Sequence, residues 1–259
     1  ATPGGARGSC MAEQQFEFAW RTDRGLVRSA NEDAVRVETD AQVVALADGI
    51  GGARAGEVAS RLAVDAACGY VGRQEAVRAS RGDTEALAEQ SIQAANRAVL
   101  DAAIEFPNCA GMGTTLVVGL FAPPMLAYAH IGDSRLYRLR GETLRQLTRD
   151  HSLAQQAVDL GLFPTLADAI EKGVNSNVLT RALGSTATLR VDSSRVQLQK
   201  GDLFLFCSDG LTNMLPDPAL KAVLLGDGAD LEALADQLIR SACERGGIDN
   251  ITLALVRVL

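Results

Sequence analysis

The chain is poor in the residues on which several common chemistries depend. Its 259 residues include only two histidines, His130 and His151, and three lysines, Lys172, Lys200 and Lys221. The histidines form no H-E-x-x-H arrangement, which disfavours a zinc hydrolase. No lysine follows a glycine, so no Walker A loop is present, and no G-x-S-x-G marks a serine nucleophile. The five cysteines, Cys10, Cys68, Cys109, Cys207 and Cys243, are scattered and lack C-x-x-C spacing. They read as reduced structural thiols of a cytoplasmic protein. No apolar run reaches the roughly 18 residues of a membrane span. The opening ATPGGARGSC lacks the apolar core of a signal peptide. Because Met11 opens MAEQQFEFAW, residues 1–14 read as a tail or an expression remnant. A net charge of -7 and a pI near 5.0 disfavour a nucleic-acid binder, whose affinity rests on clustered Lys and Arg.

What is abundant is sheet. FEFAWRTD, AVRVETD, QVVALAD, TTLVVGLF, MLAYAHIGD, SRLYRLRG, LRVDSSRVQLQ, DLFLFCSD and NITLALVRV are short, apolar and bounded by Gly, Asp or Asn. Helical spacing appears at about 53–70, at 84–105 and at 231–244, where Leu231, Leu234, Leu238 and Ile239 share one face. Strands arrive in runs with helices between the runs, which predicts an α+β fold. The segment from Asp150 to about Arg181 reads as short helical pieces joined by turns, an inserted surface flap. No repeat or linker marks a domain boundary, so 15–259 is expected to form one domain.

The stretch ALADGIGGARAGEVAS, residues 45–60, places Asp48 at the end of an apolar run against a cluster of glycines. Counting G-x-G-x-x-G from Gly49 puts Arg54 at the third glycine, so the dinucleotide fingerprint fails. The context recurs: Asp133 ends AYAHIGD, Asp209 ends LFLFCSD, and Asp249 opens the last strand in GGIDNITLALV. Taken singly, each is a turn residue. Taken together, with Glu32 and Asp33 in RSANED, they form a set of carboxylates that would repel one another on converging. Hard divalent cations remove that cost, and an all-oxygen ligand set selects Mg²⁺ or Mn²⁺. A glycine after Asp48 leaves its carbonyl free to face a metal. A metal pair about 4 Å apart could activate a bridging water.

GLVRSANED, ALADGIGG, GTTLVV, HIGDSRLYRLR, TRDHSL, FCSDGL and DNIT occur in an order and rough spacing that resembles the metal-dependent PPM (PP2C-type) protein serine/threonine phosphatases, bacterial members most of all. The resemblance runs from about Phe16 to Leu259. It implies a sandwich of two antiparallel β-sheets flanked by helix pairs, with metals at one end. It implies that Asp48 bridges two core Mn²⁺ or Mg²⁺ ions, that Gly49 binds through its carbonyl, and that Asp209 and Asp249 complete the site. Glu32 and Asp33 would hold metal-bound waters. Asp133, with Asp209, matches a third, weaker metal site, and Arg28 matches the arginine that grips the substrate phosphate. Asp48, Arg28 and Asp209 are thus the expected catalytic residues. The implied reaction is direct attack of a metal-bridging hydroxide on phosphoserine or phosphothreonine of proteins, opposing a bacterial Hanks-type kinase.

One position departs from the pattern. Many eukaryotic relatives carry His directly after the Asp-Gly, whereas Ile50 stands there in this chain. His130 lies in a strand and reads as a packed structural residue. The flap around Thr165–Asn177 is the candidate for substrate choice. Two other readings stay open: a phosphatase restricted to one small regulatory partner, and a catalytically silent binding module. A monomer is expected. The chain stops at Leu259 directly after its last strand, which reads as a free-standing domain or one cut from a longer protein.

Overall fold

The structure, a computed structural model, describes residues 16–50, 53–81, 83–226 and 230–259. The proposed tail 1–14, with Cys10 and Met11, and the glycines Gly51 and Gly52 lie outside the described residues. The chain enters through β1 (Phe16–Asp23), β2 (Asp33–Glu38) and β3 (Val43–Ile50), then folds into a helical hairpin, α1 (Ala53–Arg81) and α2 (Thr84–Glu105). Next come β4 (Gly113–Thr114), β5 (Leu116–Ala122), β6 (Met125–Ile131), β7 (Arg135–Arg140) and β8 (Thr143–Gln146). The short helices α3 (Leu153–Asp159) and α4 (Leu166–Glu171) precede β9 (Asp192–Gln197) and β10 (Leu203–Cys207). Helices α5 (Asp209–Thr212), α6 (Asp217–Leu224) and α7 (Leu231–Glu244) lead to β11 (Ile251–Val258).

The strands form two antiparallel sheets, ordered β1-β11-β10-β7-β8 and β2-β3-β5-β6-β9, with β4 paired to β3. Successive strand residues face opposite sides, and each side of these sheets is covered. On the inner side Val44, Leu46, Val117, Phe121, Phe204, Phe206 and Val256 meet between the sheets. Phe121 packs edge-on against Phe204, with ring centroids 5.6 Å apart. On the outer side of one sheet, Ala45, Ala47, Val118 and Leu120 pack against α1 and α2, where Ala59, Ala63 and Ala67 recur at the four-residue spacing of one helix face. The outer side of the other sheet, with Leu139, Leu205, Leu253 and Leu255, packs against α6 and α7. The result is the expected α-β-β-α sandwich. Coverage on both faces explains why the central strands read as apolar runs instead of alternating patterns.

Four elements differ from the sequence expectation. Helix α1 continues to Arg81, beyond the predicted end near residue 70. Strand β8 and helices α5 and α6 were not predicted. β8 is a short edge strand in which only Leu144 is apolar, and α6 begins inside Pro216–Asp217–Pro218, a run that reads as a loop although proline suits the first helical turn. No helix among the described residues is long and apolar enough to cross a membrane.

The segment 150–181 carries α3 and α4, capped by Ser152 and Thr165. Its two ends are fastened. Arg135 donates to both carboxylate oxygens of the buried Asp150, at 3.0 and 2.6 Å, in a bidentate pair. His151 is also buried, and its Nδ1 accepts from the Gly132 N–H at 3.1 Å. The proton of the neutral ring therefore sits on Nε2, which donates to Asp192 Oδ2 at 3.2 Å. Arg181, at the far end of the segment, donates to Asp192 Oδ1 at 2.8 Å. Burial, and then the stacked His130 ring at 4.8 Å, pulls the His151 pKa down to about 4. An unfolded chain takes up this proton near pH 6.5, so between those values the unfolded state binds more protons and stability falls as pH falls. The melting temperature of wild type should drop more steeply from pH 6.5 to 4.5 than that of His151→Gln. Parallel slopes in thermal melts would contradict this assignment.

Candidate metal centre

The open ends of the two sheets meet where the acidic residues lie. Asp33 on β2 pairs directly with Asp48 on β3. Asp48 is not the last residue of its strand, which runs on to Ile50, and Asp249 stands two residues before β11 begins. Asp209 opens α5 two residues after the end of β10, and Asp133 follows β6 across a turn in which Gly132 has φ +96°. Glu32, Asp48, Gly49, Asp133, Asp209 and Asp249 line one cleft together with Arg28, Ile50 and Asn177. Asp133 and Asp209 also line a smaller adjoining recess with Arg135, Asp150 and Asn177. The structure thus brings Arg28 and all but one of the predicted acidic residues to the cleft wall. Asp33 lies behind it, buried.

Polar residues far apart in sequence hold these groups in place. The Asp48 backbone is clamped on both sides: its N–H donates to Thr115 Oγ1 at 2.9 Å, and its carbonyl accepts from Thr115 N at 2.9 Å and from Thr114 Oγ1 at 2.8 Å. Asp33 Oδ2 accepts from Ser208 Oγ at 2.7 Å, a bond that ties one sheet to the other. Asn250 spends its whole carboxamide on the loop carrying Arg28 and Glu32. Its Nδ2 donates to the carbonyls of Arg24 and Ala30, each at 2.9 Å, and its Oδ1 accepts from Glu32 N at 2.9 Å. Arg28 Nη2 reaches Asp249 Oδ2 at 2.8 Å. Close packing also requires a glycine at position 49, a constraint not visible from its sequence position. A Cβ there would lie 2.2 Å from the Gly56 carbonyl oxygen and 2.6 Å from that of Glu32, so close backbone packing excludes any side chain.

The electrostatics are those of a carboxylate array with few counter-charges, Arg28 at the cleft rim and Arg135 in the adjoining recess. Burial first, then repulsion from Asp33, Asp209, Asp133 and Asp249, pushes the Asp48 carboxyl well above the usual carboxylate range. Burial raises Asp33 and Asp133 to about 7. Asp209 is raised by burial and by Asp249, and Glu32 by burial. Asp33 Oδ1 and Asp209 Oδ1 are buried with no hydrogen-bond partner. Unpartnered buried oxygens and mutually repelling carboxylates at one cleft are what a hard divalent cation would satisfy, and the donors are all oxygen. The residues therefore fit Mn²⁺ or Mg²⁺.

A second group, His130, His151 and Asp192, offers ligand atoms within 4.8 Å of one another. Between His151 and Asp192, however, the guanidinium of Arg181 already supplies the positive charge, with Nη1 3.0 Å from His151 Nε2. His130 Nε2 is engaged with the Arg149 backbone carbonyl at 2.9 Å. This group is a structural clasp.

The family model for protein phosphatase 2C matches residues 27–242. The chain belongs to the protein phosphatase 2C family. It is 39% identical over 240 residues to the serine/threonine phosphatase stp of Listeria monocytogenes, covering 92% of this chain and 94% of that protein. The crystal structure of the Mycobacterium tuberculosis serine/threonine phosphatase PstP/Ppp superposes with a TM-score of 0.83 at 35% identity, covering 93% of this chain and 98% of that one. The catalytic domain of PstP in complex with two manganese ions gives a TM-score of 0.82 at 34% identity, with 95% and 99% covered.

Within this family member, Thr114, Thr115, Ser208 and Asn250 are supports that were not singled out from sequence. The only signal was their place inside GTTLVV, FCSDGL and DNIT, where each reads as a strand or turn residue. The charge array has a measurable consequence. Asp48→Asn removes one repelling carboxylate, so in excess chelator it should melt at a higher temperature than wild type. Adding Mn²⁺ should then raise the wild-type melting temperature by several degrees and the variant's by much less. A metal-free variant that melts lower than metal-free wild type would contradict the reading.

Proposed function

We propose that this phosphatase hydrolyses phosphoserine and phosphothreonine on proteins with two Mn²⁺ or Mg²⁺ ions held at the cleft. The convergence of Asp48, Asp209 and Asp249 beside Arg28 carries the reading. Asp48, the Gly49 carbonyl, Asp209 and Asp249 are assigned to the core ions, and Asp133 with Asp209 to a third, weaker ion. Bound ions neutralise the carboxylates and activate water for attack on phosphorus. Arg28, half-exposed at the cleft mouth, presents a guanidinium fork suited to two phosphate oxygens and exchanges its contact with Asp249 for the substrate. Glu32, which lies against the Gly56 backbone in the first turns of α1, and Asp33, steadied by Ser208, orient water in the cleft. Ile50 lines the cleft and cannot carry a proton, and no histidine lines the cleft among the described residues; a water held at the Asp133 site is the proposed proton source for the leaving oxygen. Positioning and charge neutralisation then supply most of the rate enhancement.

The four described cysteines are unpaired, which supports a reducing, cytoplasmic location. We further propose that the protein acts as a monomer against the products of a bacterial Hanks-type kinase. Residues 15–259 would then serve as one catalytic domain, with 150–181 as a flap and Thr165–Asn177 selecting substrates. Asn177 lines both the cleft and the adjoining recess, which favours that role.

Phosphate release from a phosphothreonine peptide should require Mn²⁺ or Mg²⁺, stop with chelator and fall by at least about a hundredfold in Asp209→Asn. Arg28→Ala should chiefly raise KM. Metal-independent release, or full activity of Asp209→Asn, would refute the assignment. Activity on p-nitrophenyl phosphate without any on generic phosphopeptides would point to a partner-restricted enzyme. Exchanging 165–177 for the matching segment of a relative should change the order of preference across a phosphopeptide panel, and an unchanged order would remove the flap from substrate choice.

A further inference from the structure

The loop carrying Arg28 is pressed onto the loop carrying Asp249. Leu26 N donates to the Gly247 carbonyl at 2.7 Å, and a Cβ on Gly25 would come within 2.1 Å of the Asp249 carbonyl oxygen. A Cβ on Gly247 would lie 3.1 Å from Leu26 Cγ, so the Leu26 side chain rests against the 246–248 turn. This contact leaves three large aliphatic side chains in water: Leu26 is 66% exposed, Val27 67% and Ile248 53%. Single exposed aliphatics are ordinary, whereas these three stand on two loops joined by a backbone hydrogen bond, near enough to act as one surface. None of the three is among the buried or partly buried residues that form the apolar layers of the sandwich.

Their place relative to the cleft is fixed by the chain itself. Val27 and Leu26 are one and two residues from Arg28, and Ile248 is adjacent to Asp249. With about 3.8 Å between successive Cα atoms, the shelf lies one to two residue steps from the phosphate-gripping arginine. An extended peptide whose phosphoresidue enters the cleft would carry its neighbouring side chains across that distance. The shelf is continuous with the cleft through Arg28 and Asp249, both of which line it.

We propose that Leu26, Val27 and Ile248 form a specificity shelf that receives an aliphatic side chain of the substrate, one or two residues from the phosphorylated Ser or Thr. This rests on the phosphatase reading above. The aliphatic side chain leaves water on binding, and because the shelf is open the gain is partial, about five- to tenfold in kcat/KM.

The test uses the full chain loaded with Mn²⁺. Its substrates are phosphothreonine peptides with Leu or Ser placed one or two residues to either side of the phosphoresidue, and p-nitrophenyl phosphate, which has no flanking residues. Peptide rates of wild type and of the Leu26→Ser/Ile248→Ser double variant are normalised to p-nitrophenyl phosphate, so damage to the centre cancels. A five- to tenfold preference for Leu at one of these positions in wild type, reduced to less than twofold in the variant, is the expected result. Equal rates on Leu and Ser peptides, or a preference that the variant retains, would overturn the shelf alone. No metal-dependent release from p-nitrophenyl phosphate by wild type would overturn the phosphatase reading and the shelf with it. If the wild type sediments as a dimer and the variant as a monomer, with unaltered peptide selectivity, a second copy covers the shelf and the proposal fails.

Discussion

Mutual repulsion among carboxylates at one end of the sandwich is the constraint around which the rest of the structure is arranged. Asp48, Asp133, Asp209 and Asp249 converge on one cleft from different strand ends, with Asp33 directly behind Asp48. Like charges in a poorly solvated site would drive these groups apart or into their neutral forms. The two thick apolar layers and the interlocked phenylalanines between the sheets leave the strand ends little freedom to separate. A rigid scaffold thus holds an array that is unfavourable by itself, which is how binding energy for a cation is stored in a fold.

The supports of the array use neutral hydrogen bonds. Thr114 and Thr115 fix the main chain of Asp48, leaving its carboxylate uncommitted. Asn250 fixes the loop of Arg28 and Glu32 through main-chain atoms alone. A charged support in either place would have altered the balance at the cleft, whereas a hydroxyl or carboxamide can satisfy donors and acceptors with no net charge. The exception is Arg28, whose contact with Asp249 places a cation at the rim, where an incoming anion can compete for it.

Much of the sandwich was legible in the sequence because strands covered on both faces leave apolar runs that end sharply at Asp, Asn or Gly. DLFLFCSD and NITLALVRV are examples. Edge strand β8 and proline-started α6 were hidden, because neither carries such a run. At the site, the recurrence of Asp after an apolar strand was visible as a pattern. The supporting residues were not, because their roles exist only after folding: Asn250 meets Glu32 across 218 positions and Thr114 meets Asp48 across 66. Gly49 was visible, but the close approach of the Gly56 and Glu32 backbones that also requires it was not, because that approach is a tertiary fact.

The direct pairing of Asp33 with Asp48 across β2 and β3 also makes the array a check on how the sheet was assembled. Strand side chains alternate faces, so a slip of one residue between these strands would turn Asp33 away from Ser208 and put Ala34 or Glu32 in its place. The hydrophobic layers tolerate such an error poorly, and the polar seam between the two sheets does not form at all. A chain folded in the wrong register would therefore lack the Asp33–Ser208 bond that joins the two sheets behind the cleft, so that polar seam doubles as a record of correct strand pairing.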